Sequence, residues 1–301
     1  MKGLLQNRNF IFSLALLLGV FAPGRAQMLR PLILPVLGLT MILSTMDIRN
    51  DTFRNPRGLF GPALIGILMN YLLLGGIILA IGALFIKEDP IRNGVILLAA
   101  APPAAAVIPF SDFLKGDKRL SLTGTIGAYI GGLVIIPLMA LVLLSPGVFD
   151  PTVLVIAVVE LIVIPLIASR ILIWKNWNEK ISPWKGTITN WSFFLIMYTL
   201  VGLNSSVFRN LSPVLLTVSL IPLSTNFILG LIIDGTGRVF HLTQPVRTSL
   251  VLLGTLKNQG MAGGLALALF GKEAAIPAAV CTISMIVYVI WLDLIQGQKK
   301  Q

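Results

Sequence analysis

Between Leu250 and Gly271 the chain is long and apolar enough to span a membrane, yet Lys257, Asn258, Gln259 and Gly260 interrupt it near its middle. A charge at the centre of a bilayer costs roughly 2.5–3.5 kcal/mol even on the lenient insertion scale. Polar residues beside glycine at that depth predict a helix that breaks at the midplane, as helices do around the substrate sites of secondary carriers. A second interrupted stretch, Gly94 to Phe113, carries Pro102 and Pro103 at its centre. The two can be superimposed: Pro90-Ile91-Arg92 falls on Pro245-Val246-Arg247 and Leu97-Leu98 on Leu252-Leu253, which sets Pro102-Pro103 opposite Lys257-Asn258.

Composition agrees with a membrane setting. Of 301 residues 56% are hydrophobic and 12% charged, with a mean hydropathy of +0.91; soluble domains carry about 25% charged residues. Apolar runs of around 20 residues recur without the alternation of a β-barrel, so the predicted fold class is an all-α integral membrane protein. The net charge of +11 is read as positive-inside bias rather than affinity for nucleic acid. Cys281 and His241 are each the only residue of their kind, which leaves no internal disulfide and no cysteine or imidazole metal cluster.

Ten runs are predicted to span. They are Phe10–Ala22, Leu32–Thr45, Leu59–Phe85, Gly94–Phe113, Leu120–Leu144, Thr152–Trp174, Thr187–Val207, Leu211–Ile233, Val246–Gly271 and Ala274–Ile295. The first is also short enough for a signal peptide, although its cleavage pattern is poor. A break at Ser145-Pro146-Gly147 and Asp150-Pro151 divides residues 1–145 from 146–301, five runs each. Met69-Asn70-Tyr71 resembles Thr225-Asn226-Phe227 at about the same offset as the interrupted pair. An odd number of runs per half makes this an inverted-topology repeat. Sixteen basic residues then fall on the side of the N-terminus and six on the other, which puts both termini in the cytoplasm of a multi-pass protein of the cytoplasmic (inner) membrane. Trp174, Trp177, Trp184 and Trp191 read as an interfacial belt.

A broken spanning helix exposes the NH groups that start its second half, and these favour negative charge. With Lys257 at the same depth, the combination predicts an anionic ligand such as a carboxylate or sulfonate. The plainer alternative is that Lys257 pairs structurally with a buried carboxylate. Glu160, within the apolar run VLVIAVVELIVIPLI, is the candidate partner; otherwise it faces a polar cavity alone. Asn70 and Asn226 serve either as interhelical hydrogen-bonding groups or as ligand contacts. Ser121 and Thr125, one turn apart, either contact a ligand or ion or bond their own helix. Asp47, Asp112, Asp117 and Asp234 lie near run ends, where a carboxylate is solvated, and Cys281 reads as a packing residue. No nucleophile–base pair, metal-ligand spacing or phosphate loop occurs in the runs, so neither an enzyme nor a cofactor is predicted.

Ten runs, two crossing broken helices and the segments APPAAAVIPFSDFLKGDKRLSL and GTLKNQGMAGGLALALFG together resemble the bile acid:sodium symporter family, in a wider superfamily with arsenite and auxin efflux carriers. The resemblance implies a core domain of runs three to five and eight to ten and a panel of runs one, two, six and seven, with the substrate cavity between. Glu160 on the panel and Lys257 on the core would then form a gate. It also implies sodium sites that this chain does not reproduce. The family's glutamate and glutamine of the ninth helix fall on Leu253 and Lys257, followed by Asn258, and its serine–asparagine pair of the fourth on Val107 and Ile108. Ser121, Thr125, Asn258 and Asn70, the last in place of a usual glutamine, remain. The expectation is a carrier of a small organic anion working by alternating access, with Lys257 as a built-in cation and a proton or no coupling ion rather than sodium. The alternatives are a sodium-coupled symporter and a non-transporting membrane receptor. Arsenite is not expected, because the cysteine that follows Ala101-Pro102 in those carriers is Pro103 here. No reading of the residues bears on oligomeric state.

Overall fold

The computed structural model describes residues 7–46, 56–104, 106–145, 150–210 and 212–298. Asp47 and the Pro146-Gly147 break lie outside them. The described residues are helical, with one isolated β-bridge and no strand. Six helices are long and apolar enough to cross a membrane. In chain order after α1 (Arg8–Phe21) they are α2 (Pro23–Thr45), α3 (Leu59–Phe85), α6 (Lys118–Leu143), α7 (Pro151–Trp174), α8 (Trp177–Leu203) and α9 (Pro213–Val239). Between α3 and α6 lie α4 (Asp89–Ala100) and α5 (Val107–Phe113); after α9 come α10 (Gln244–Thr255), α11 (Gln259–Phe270) and α12 (Ile276–Gln298). Each twelve-residue piece, α4, α10 or α11, is about 18 Å long, well short of the ~30 Å hydrocarbon layer. The interrupted stretches therefore do not reach across by either half alone.

Local chemistry sets the ends. Asn7, Asp117, Asp150 and Ser212 accept backbone N–H bonds at the starts of α1, α6, α7 and α9, and Pro151 and Pro213 follow the last two at the first helical position. Asp117, partly exposed, also caps a helix. Asp112 pairs with Lys118, and Asp234 with Arg238 and Arg247. Asn176, in the left-handed region at φ 56°, turns the chain into α8, which begins ten residues before the predicted run and carries the Trp177–Trp184 segment as helix. The first run forms a helix packed along α8: Tyr198 Oη donates to Ala22 O at 2.9 Å, and Ile11 and Ala15 are fully buried.

Three helices carry π segments, Leu68–Leu74 in α3, Val159–Val163 in α7 and Leu223–Ile228 in α9. The first and third contain Asn70 and Asn226 and match in position between the halves. Sequence patterning predicts plain helices here, since one extra residue in a turn leaves the apolar pattern intact.

Small residues set helix spacing near the broken stretches. A Cβ on Gly66 would stand 2.1 Å from Gly124 O, and one on Gly94 would stand 1.9 Å from Ala274 O. Without a hydrophobic drive between helices in lipid, such close backbone contact is what holds them. Gly66→Val is expected to push α3 off α6 and cost about 1–3 kcal/mol, read as a lower unfolding temperature in detergent; an unchanged temperature would show the contact to be slack.

Candidate functional site at the crossing of two broken helices

The two interruptions meet. Pro103 and Lys257 form the isolated antiparallel bridge, with Ala104 N donating to Leu256 O at 3.1 Å and Asn258 N to Pro102 O at 2.8 Å. Each break thereby satisfies backbone groups that the other has freed. Tyr129 Oη donates to Pro103 O at 3.1 Å. Asn258 Oδ1 accepts from Met261 N at 3.0 Å and caps α11, so Asn258 is a helix cap first.

Lys257 completes the crossing. Its side chain is 2% exposed, and Nζ donates to Asn70 Oδ1 at 2.8 Å, Ala99 O at 2.6 Å and Ala101 O at 2.8 Å. An ammonium has three protons, and each has an acceptor. Ala99 and Ala101 lie at the end of α4, where carbonyls lack helical partners and carry the negative end of the dipole. The Tyr71 ring, 4.9 Å from Nζ, covers the remaining side. The cation is held by neutral oxygens and a π face, with no carboxylate.

The expected partner Glu160 is not there. It is exposed on the π segment of α7, so the Glu160–Lys257 gate does not form in this structure: a fixed neutral cage already fills the lysine's donor capacity.

Ser121 lies away from the crossing, in a buried cluster that the residue patterns did not reveal. Its Oγ is 2.8 Å from Ser249 Oγ and 2.9 Å from Ser111 Oγ, while Ser249 donates to Asp117 O at 3.0 Å. Ser249 spends its one proton on the backbone, and the Ser121 hydroxyl donates to Ser111 or Ser249, one at a time. The cluster ties α5, α6 and α10 together. A signal for it exists in the sequence. Ser111 follows Pro103 by eight residues and Ser249 precedes Lys257 by eight, so an antiparallel crossing carries both to the same end. Thr125 Oγ1 is buried without a partner, as are Asn70 Nδ2 and Asn226 Nδ2; Asn226 does not reach Lys257. Leu253, fully buried, packs its Cδ1 where a Cβ on Gly124 would be 2.8 Å away, and Val107 is fully buried too.

Two adjoining cavities flank the crossing. A narrow one of about 40 Å³ is lined by Asn258, Gln259 and Gly260 with Ala104, Ala106, Ile196, Met197, Thr282 and others. A wider one of about 350 Å³ is lined by Ser44, Pro109, Phe110, Lys185, Gly186, Thr189 and Asn190, and shares Phe12, Ala106, Phe193 and Met285 with the first. The wide cavity falls in the size range of small-molecule sites, about 300–1,000 Å³, and reaches the surface at the exposed Pro109 and Gly186. Lys257 and Glu160 line neither cavity.

The model of the sodium bile acid symporter family matches residues 34–213, more than half of the chain. The chain belongs to that family. No curated protein matches the sequence. Family membership and the apolar helices make it a multi-pass membrane protein of a transporter family. The matched segment holds Asn70, Pro102, Pro103, Ser121 and Thr125 but ends before Leu253, Lys257 and Asn258, so the lysine lies beyond the part that carries the match.

Lys257→Met is expected to leave the three acceptors unpaired at about 1–3 kcal/mol each and lower the unfolding temperature markedly. Glu160→Gln is expected to stay within about 0.5 kcal/mol of the parent. Because the two side chains do not touch, the double variant is expected to show additive losses; a double variant milder than Lys257→Met alone would show that they are coupled after all.

Proposed function

We propose that the chain is a secondary carrier of a small organic anion, of carboxylate or sulfonate type, that works by alternating access. In this reading ten helices form two inverted five-helix repeats, residues 1–145 and 146–301. A core of the third to fifth and eighth to tenth spans moves against a panel of the other four around the crossing. Positive charge density assigns both termini to the cytoplasmic side. The wide cavity, with Ser44, Lys185 and Phe110 in its wall, then opens inward.

Membership of a transporter family supports the carrier reading, and the observation that carries its sodium-free part is the Lys257 ammonium bonded to Asn70, Ala99 and Ala101 at the crossing. A positive group is needed at a crossing where carbonyls converge, and here the protein supplies it covalently. Leu253 and Val107 put hydrocarbon where coupling by a metal cation needs oxygen ligands. Transport in this reading is independent of sodium. The family's name favours the second reading, a sodium-coupled symporter, and the two separate in one assay.

In proteoliposomes, uptake of radiolabelled small carboxylates and sulfonates is expected to proceed equally with sodium or choline outside; strict dependence on a sodium gradient would overturn the sodium-free reading. Lys257→Gln is expected to cut uptake at least tenfold, and full activity in that variant would show that transport does not need the lysine's charge. A saturable ligand with no flux under any gradient would favour the receptor class.

A further inference from the structure

Helix α2 follows α11 from its end to its start. Arg30, Ile33, Leu37, Met41 and Ser44 are spaced by three and four residues, which keeps them on one helix face. Arg30 Nη2 donates to Leu267 O at 3.0 Å near the end of α11, and Met41 Sδ accepts from Asn258 Nδ2 at 3.9 Å at its start. Ser44 then lines the wide cavity.

Between these ends α2 rests on glycine. Leu37 is fully buried, and its methyl carbons stand 2.9 Å from where a Cβ on Gly260 would be and 2.7 Å from one on Gly264. Ile33 stands 3.1 Å from the same point over Gly264, and Leu200 of α8 stands 2.8 Å from a Cβ on Gly263. Gly260 lines the narrow cavity, whereas Gly263, Gly264, Leu37 and Leu200 line neither. One leucine from α2 and one from α8 thus close over α11 just beyond the end of the cavity.

This contact differs from those at Gly66 and Gly94. There backbone meets backbone, but Gly260, Gly263 and Gly264 meet side chains, so parting the surfaces frees no backbone group. The Arg30 bond is equally dispensable to the frame. Leu267 O also accepts from Gly271 N at 3.2 Å and keeps a partner when the guanidinium leaves, although the end of a helix favours a cation there. Helix α2 is jointed at the same level: Arg30–Leu32 is a 3₁₀ turn between the α-helical pieces Ala26–Leu29 and Ile33–Thr45, a form that marks hinges.

We propose that Leu37 and Leu200 on the Gly260–Gly264 surface, latched by Arg30 on Leu267 O, are a gate that closes the crossing on the side away from the wide cavity. The gate opens when Arg30 releases the carbonyl and Leu37 withdraws from the glycines, and the path it uncovers runs between α2 and α11. The inference rests on the carrier reading for its consequence in transport, but access past the gate is measured without a substrate.

Thr282, in the wall of the narrow cavity, is the reporter. The full-length protein with Thr282→Cys and Cys281→Ala is treated with a membrane-impermeant, positively charged methanethiosulfonate in inside-out and in right-side-out vesicles. The reporter is expected to react faster from the side on which the wide cavity opens. Arg30→Gln and Leu37→Ala are each expected to raise the rate from the other side about fivefold or more by shifting the population toward the open gate, and Arg30→Lys to raise it less than Arg30→Gln. An unchanged rate from that side in both variants would overturn the proposal, as would an equal rise from both sides, which loosened packing alone would give. Should one variant fail to fold, the other decides by the same comparison. Flux of the parent protein in proteoliposomes separates the two readings. A one-sided rise without flux under any gradient would leave the gate standing and refute the carrier; flux with neither rate changed would keep the carrier and refute the gate.

Discussion

The structure turns on one ammonium group. Two helices broken in the same plane leave backbone carbonyls and NH groups with no lipid or water to satisfy them, and such groups cost several kcal/mol each in hydrocarbon. The antiparallel bridge between Pro103 and Lys257 settles part of this, the Tyr129 hydroxyl and the Asn258 cap settle more, and Lys257 Nζ takes the carbonyls at the end of α4 together with Asn70. The lysine is desolvated, which is costly, and is repaid only because every proton has an acceptor and the field of the α4 terminus has the right sign. Remove it and both halves of the crossing lose their closure together.

A charge used in this way is not free for recognition. Lys257 is buried, bonded to three oxygens and part of the frame. Helix α8 borders both cavities beside the crossing. In the proposed cycle the crossing stays intact while the panel helices, α8 among them, change their relation to it.

Much of this was legible in the sequence because charge in lipid is expensive. Lys257-Asn258 and Pro102-Pro103 stand out from apolar runs for that reason alone, and their matched flanks predict the meeting of the breaks. Asn70 was among the residues singled out, and the structure sets it 2.8 Å from Nζ. What escaped were features that leave hydropathy unchanged. A π turn at Asn70 or Asn226 adds one residue without altering the pattern. Ser111 and Ser249 look like ordinary packing residues until the antiparallel register brings them to Ser121. The face of α8 was hidden because Trp177–Trp184 reads as a polar loop, although it is helix. Glu160 misled for a related reason: a carboxylate in an apolar run invites a lysine partner, but depth along two helices does not specify which faces meet.

The departures from the family pattern fall on both sides of the end of the match: Val107 and Ile108 lie inside it, Leu253 and Lys257 beyond it. Residues 34–213 carry the match, and Leu253 and Lys257 follow it. The central claim, that a tethered ammonium stands in for a bound metal cation, is tested most directly by equilibrium binding of radioactive sodium to the purified protein. The account predicts no saturable sodium binding up to millimolar concentration in the parent protein; stoichiometric, saturable binding with Lys257 intact would contradict it.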